Sequence, residues 1–169
     1  MVLQSDIDKI RITLEELDRE SFERAVDAIV EARKIYIIGV RSAAAIATFL
    51  SFYLKLIMNN VTLVSANTAS EVFESLFWVG EGDVVIGASF PRYSSRTVQA
   101  ATVAITDSDA SPLAPISTYT LKARSDMASF VDSLVAPLSL VNALLVAVSR
   151  RKNDSLDHTF QTLEKIWDE

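Results

Sequence analysis

The chain has 169 residues, half of them hydrophobic, and a formal net charge of -6. That is the size of one domain with a substantial core, and its acidity argues against the chain itself gripping a nucleic-acid backbone, which takes clustered Lys and Arg. With no cysteine there is no disulfide, thiolate nucleophile or Cys-ligated zinc, and one histidine excludes a His-rich metal site, so neither metal nor cofactor is expected.

The opening Met1-Val-Leu-Gln-Ser-Asp-Ile-Asp lacks the basic start and apolar run of a signal peptide, and a cytoplasmic location is expected. Ile7, Ile10, Leu14 and Leu17 recur at helical spacing between charged residues, which predicts an amphipathic helix over about 5–18. A second helix carries Phe22, Val26, Ile29 and Val30 on its inner face. Residues 35–39 read as a first buried strand, with Gly39 permitting a tight turn into a helix that begins near Ser42. In that helix, residues 43–58, Lys55 is the only charge and large side chains point all round. One side can face a sheet; the other needs a second cover, for which a homodimer interface is the expected source and a neighbouring helix the alternative.

A strand over 61–64 and a short helix over about 70–78 follow, and the turn Gly80-Glu-Gly-Asp83 leads into the apolar, β-branched run 84–88. That run has the pattern of a strand covered on both faces in a parallel sheet. Next come a helix from Ser94 to about Ala101, a strand over 103–106, a loop to Pro115 and a strand over 118–121. Eight helical residues span about 12 Å, which barely returns across a five-residue strand of about 17 Å. The crossover before Val103 is therefore compressed, or residues are missing there. A long apolar helix is expected over 127–149, bent near Pro137, and Asn153 is expected to cap a last helix over about 154–168 with Leu156, Phe160, Leu163 and Trp167 in a stripe. Asp132, Pro137 and Asn142 interrupt the apolar run 130–149, which reads as a buried helix rather than a membrane span.

The chemistry gathers after the middle strand. Ser89, Tyr93, Ser94, Ser95 and Thr97, with Arg92 and Arg96, stand where a strand's carboxyl end turns into a helix. There the strand ends leave a crevice and a helix N-terminus offers free N–H groups, so an anion, and a phosphate first of all, is the expected guest. Ser42 and Arg41 hold the matching place after the first strand. Capping explains Ser42 equally well, and a surface salt bridge explains Arg41. His158, among charges in the terminal segment, reads as solvent-facing.

Together, Gly39-Val-Arg-Ser-Ala43 and the 89–97 turn resemble the phosphate-binding loops of the sugar isomerase (SIS) domain, and more closely that of RpiR-type bacterial transcription regulators, over nearly the whole chain. The family turn is Ser-x-Ser-Gly-x-Thr; here it reads Ser89-Phe-Pro91-Arg92-Tyr-Ser94, with a guanidinium able to offer a bidentate grip in place of the lost donors. The resemblance implies an α/β fold, a three-layer α/β/α sandwich on a flavodoxin-like parallel sheet of about five strands. It implies one SIS domain over 1–169, with helix 5–18 as a linker to a DNA-binding helix-turn-helix domain absent from this chain. Glu71 then stands near the sugar, although favourable helix-dipole placement also accounts for it, and Arg124 and Ser125 contact sugar hydroxyls. The implied partners are a phosphorylated sugar or amino sugar, a second copy through the 43–58 helix, and DNA only through the missing domain. The implied function is a sugar-phosphate-binding effector domain. A stand-alone aldose-ketose isomerase is the alternative, and a ligand-free scaffold is the third possibility.

Overall fold

The structure is a computed structural model that describes residues 1–64, 68–90, 103–126 and 131–152. Its centre is a five-stranded sheet in which every paired strand is parallel, in the order β2-β1-β3-β4-β5, with β1 at Lys34–Gly39, β2 at Val61–Leu63, β3 at Asp83–Ala88, β4 at Val103–Thr106 and β5 at Tyr119–Lys122. Residues of β1 and β3 have no polar side to turn outward because both faces of the sheet are covered. On one face Ile35, Ile37, Val84, Ile86, Val103, Ile105 and Leu121 pack against α2 (Arg19–Glu31), α3 (Ala43–Ile57) and α5 (Val135–Arg151). On the other, Tyr36, Ile38 and Val85 pack against Val64 and against Val72 of α4 (Ala69–Leu76). Each fully buried Ile or Leu in these layers contributes about 1.5–3 kcal/mol. The expected three-layer α/β architecture is the one found.

Local chemistry fixes the element ends. Asp18 caps α2 by accepting from the amides of Glu20 and Ser21, and Phe22, Val26 and Ile29 then face inward as expected. Asp83 starts β3 with a fully covered side chain, held by two bonds of 2.9 Å from the Arg33 guanidinium and one of 3.1 Å from the Gly80 amide. Gly39 ends β1 where α3 passes closest: a Cβ there would stand 2.5 Å from the Ala43 carbonyl oxygen and 2.9 Å from Ala47 Cβ.

Three expectations are corrected. The long helix begins at Val135, not near 127, so Pro137 sits in its first turn, where a missing N–H leaves no helical bond unmade, and produces no mid-helix bend. Asp132 accordingly precedes this helix instead of lying within it. Helix α1 (Val2–Glu16) forms, but with its polar side inward: Lys9 and Thr13 are buried, while Ile7 and Leu14 are 58% and 67% exposed. Among the described residues no helix is long and apolar enough to cross a membrane. β3 and β4 pair as parallel neighbours. The crossover between them, the expected helix over 94–101, the cap at Asn153, the helix over 154–168 and His158 lie outside the described residues.

Candidate ligand site at the strand carboxyl ends

In this strand order the chain leaves β1 toward β2 on one side and leaves β3 toward β4 on the other, so β1 and β3 are neighbours whose connections diverge. The divergence opens a crevice at their carboxyl ends. Gly39 and Ala88 are register partners at the last position of each strand. Arg41 and Ser42 follow the first of these ends and Ser89 follows the second, so parallel pairing brings the two candidate loops to one edge of the sheet.

Each residue is held differently. Arg41 is exposed and has a φ of 59°, the left-handed region that costs a residue with a Cβ about 1–2 kcal/mol. Ser42 takes the cap position of α3, yet its side chain makes no capping bond, and the amides of Ala44 and Ala45 donate to the Arg41 and Ser42 carbonyls at 3.1 and 3.2 Å. Ser89 is buried, and its amide donates to the Ile105 carbonyl at 3.0 Å, extending the β3–β4 ladder one step past the strand. Arg92 and Ser94 lie outside the described residues.

Glu71 stands in the first turn of α4, where its amide donates to the capping Thr68 Oγ1 at 3.1 Å. That is the placement a helix dipole favours, on the segment that follows β2.

Arg124 and Ser125 lie past the carboxyl end of β5, as expected, but both already have protein partners. The Arg124 amide donates to Thr13 Oγ1 at 3.0 Å, and its guanidinium Nη2 donates to Glu16 Oε1 at 2.5 Å. The Glu16 hydrogen bond raises the Arg124 pKa further above its usual value, against the opposing effect of burial and with help from the charges of Glu16, Asp126 and Asp107. Ser125 is buried and donates to the Ser133 carbonyl at 3.0 Å, and the Ser133 hydroxyl donates to Asp6 Oδ1 at 2.7 Å. Helix α1 thus covers the β5 end of the sheet through Asp6, Lys9, Thr13 and Glu16, spaced three, four and three apart on one helical face. Sequence reasoning gave this face no role, although the spacing of four polar residues was there to be read beside the apolar stripe.

Among the described residues no group of three or more His, Asp or Glu side chains is placed to hold a metal ion. Among the described residues the edge offers a helix N-terminus, an exposed guanidinium and hydroxyls, donors of the kind an oxyanion takes.

A family model for the SIS domain matches residues 28–147. Among solved structures, the sugar isomerase domain of an RpiR transcription factor from Sphaerobacter thermophilus superposes with a TM-score of 0.89 at 27% identity, covering 97% of this chain and 96% of that one. The Vibrio vulnificus NanR protein complexed with ManNAc-6P gives 0.81 at 22% identity, covering 97% of this chain and 67% of the other. A Methanococcus jannaschii protein, whose structure infers a molecular function of 3-hexulose-6-phosphate isomerase, gives 0.71 at 15%, covering 94% and 95%. Among curated proteins none matches this sequence. The chain belongs to the SIS domain family, and within it is built like the sugar isomerase domain of an RpiR-type transcription factor.

Proposed function

We propose that this domain binds a phosphorylated sugar or amino sugar at the carboxyl ends of β1 and β3, as the effector domain of a bacterial RpiR-type transcription regulator acting in the cytoplasm. The observation that carries the reading is the uncapped N-terminus of α3 beside Arg41, at the point where Gly39 and Ala88 end their strands in register. Phosphate oxygens take the amides of Ser42 and Ala43, those of Ala44 and Ala45 already donating to the Arg41 and Ser42 carbonyls, and the Arg41 guanidinium adds a charge-assisted bond. Ser89 and, from the 91–102 segment, Arg92 and Ser94 complete the cradle, while Glu71, Arg124 and Ser125 border the sugar. NanR was solved with a sugar phosphate of this kind, which supports the ligand class.

The regulator reading extends to parts this chain does not contain: a helix-turn-helix domain preceding α1, and DNA bound only through it. Two copies pair through the outer face of α3, so that ligand binding at the strand ends biases how the subunits pack and how their DNA readers are spaced. The test is a melting-shift panel of ManNAc-6P, arabinose 5-phosphate, glucose 6-phosphate, fructose 6-phosphate and inorganic phosphate, with turnover assayed in parallel. Stabilisation without turnover supports the effector domain. Turnover above background replaces it with a stand-alone aldose-ketose isomerase, and no stabilisation by any sugar phosphate overturns both.

A further inference from the structure

Lys9 is a lysine in an unusual place. It belongs to a helix whose apolar residues Ile7 and Leu14 face solvent, yet its own side chain is only 7% exposed. Among the described residues its ammonium pairs with Asp6 Oδ1 at 3.6 Å, longer than a charge-assisted hydrogen bond, and that carboxylate oxygen already accepts from the Ser133 hydroxyl at 2.7 Å. A buried ammonium carries three donors and needs acceptors for them. A second cationic donor in the same cluster is also short of a partner: Arg124 Nε is buried and has no acceptor among the described residues. Helical spacing puts Lys9 between Asp6, bonded to Ser133, and Thr13, bonded to the Arg124 amide. Lys9 therefore stands on the face of α1 that is turned toward Arg124 and Ser133.

We infer that Lys9 is a ligand-reading residue: its ammonium, together with Arg124 Nε, donates to oxygen atoms of the sugar at the end remote from the phosphate. This deepens the proposed function and rests on it. β5 lies two and a half strand spacings from the β1–β3 crevice, about 12 Å away along the same edge. A sugar phosphate seated by its phosphate at the β1–β3 crevice and lying along that edge points its far end toward β5. The two cations are balanced by Asp6 and Glu16, so the acceptors they suit are hydroxyl or carbonyl oxygens rather than a second phosphate. The physical gain is that a sugar oxygen supplies hydrogen bonds that the described residues leave unmade on the inner side of α1. Because Lys9 stands on the helix at the start of the chain, the same bonds tie the position of that helix to occupancy of the site.

The experiment compares wild type, Lys9→Met and Lys9→Arg by calorimetric titration and melting shift, using ManNAc-6P, arabinose 5-phosphate, glucose 6-phosphate, fructose 6-phosphate and inorganic phosphate. Lys9→Met is expected to weaken the best-bound sugar phosphate by about tenfold or more, the scale of one lost charge-assisted hydrogen bond, and to weaken inorganic phosphate several times less. Lys9→Arg, which keeps the charge but moves the donors, is expected to fold and to change the rank order of the sugars; it carries the test if Lys9→Met does not fold. Equal losses for sugar phosphate and inorganic phosphate, or an unaltered rank order in both variants, overturn the role of Lys9 and leave the phosphate site standing. A wild-type protein that answers to none of the sugar phosphates overturns the proposed function and this inference together.

Discussion

Gly39 stands directly beside Ala88 in the β1–β3 ladder, and on its other side the Ala43 carbonyl comes so close that a Cβ at position 39 would meet it at 2.5 Å. One residue without a side chain thus sets both the end of β1 and the start of α3. Gly39→Ala forces either the strand end or the first turn of the helix to move, at a cost of about 1–3 kcal/mol. A denaturant titration is expected to show that loss. Because the displaced turn is also the proposed phosphate seat, the melting shift produced by sugar phosphates should fall with it. A variant with the wild-type midpoint would mean that α3 is free to slide, contrary to the packing of Ala47 against the strand.

Arg41 tests the same seat from the side of strain. Its left-handed backbone costs about 1–2 kcal/mol for any residue with a Cβ, whereas glycine there trades that strain for an entropy cost of about 0.5–1 kcal/mol. Arg41→Gly is therefore expected to be more stable than Arg41→Ala by up to about 1 kcal/mol in the absence of ligand. Both variants lose the guanidinium and should show the same reduced response to sugar phosphates. Equal stability of the two would remove the strain argument; a full response in both would remove Arg41 from the site.

The layers were legible in the sequence because β1 and β3 are short, β-branched and uncharged after their first residues, Lys34 and Asp83, and the turn chemistry of Gly39 and of 80–83 marks their ends. The edge on which the proposed site lies was legible for a related reason: once two strands are parallel, whatever follows them opens on one side. The fate of Arg124 was not. Its partner Glu16 lies 108 residues away in sequence, and no local pattern announces such a pair. The apolar stripe of α1 does not tell its facing, since Ile7 and Leu14 are exposed while Lys9 and Thr13 go inside. Pro137 read as a bend only because the apolar run before it looked helical; with the helix starting at Val135, the same proline is a first-turn residue.

Acid sensitivity is expected from Arg33 and Asp83, at the opposite end of the strands. Burial pushes the Asp83 carboxyl up, but the hydrogen bonds from Arg33 and the Gly80 amide, with the charges of Arg33 and Lys34, outweigh it and hold the group below the ordinary carboxylate value of 3.8. A depressed folded-state pKa means that this contribution is fully present above the unfolded value and is lost as pH falls through the folded one. Thermal midpoints measured from pH 7 downward should therefore show a drop below about pH 4 that is smaller in Asp83→Asn than in wild type. The variant should melt lower at pH 7, since the neutral amide cannot accept the same paired bonds from the guanidinium. Parallel profiles for the two proteins would assign the acid loss to other carboxylates, of which Asp18, also lowered by its capping bonds to Ser21, is the next to examine.

The outer face of α3 decides the proposed dimer. Phe52 is 60% exposed and Tyr53 42%, their rings meet edge to face at 5.1 Å, and Phe49 packs against Tyr53 at 4.8 Å. These three rings, with Ala44, Ala45 and Thr48, line a shallow hollow on the helix surface. In a two-fold dimer the same face meets itself, so one substitution is felt twice across the interface. Aromatic anchors at the centre of such a patch are commonly worth about 2 kcal/mol or more each. Phe52→Glu places two carboxylates in the contact and removes both rings at once. Sedimentation should find a dimer for wild type at micromolar concentration and a monomer for Phe52→Glu. The variant's circular dichroism should match wild type, because this side chain faces away from the core. Wild type sedimenting as a monomer at high micromolar concentration would end the dimer proposal. A dimer that survives Phe52→Glu would place the interface elsewhere, and the exposed stripe of Leu3, Ile7 and Leu14 on α1 is then the surface to mutate next.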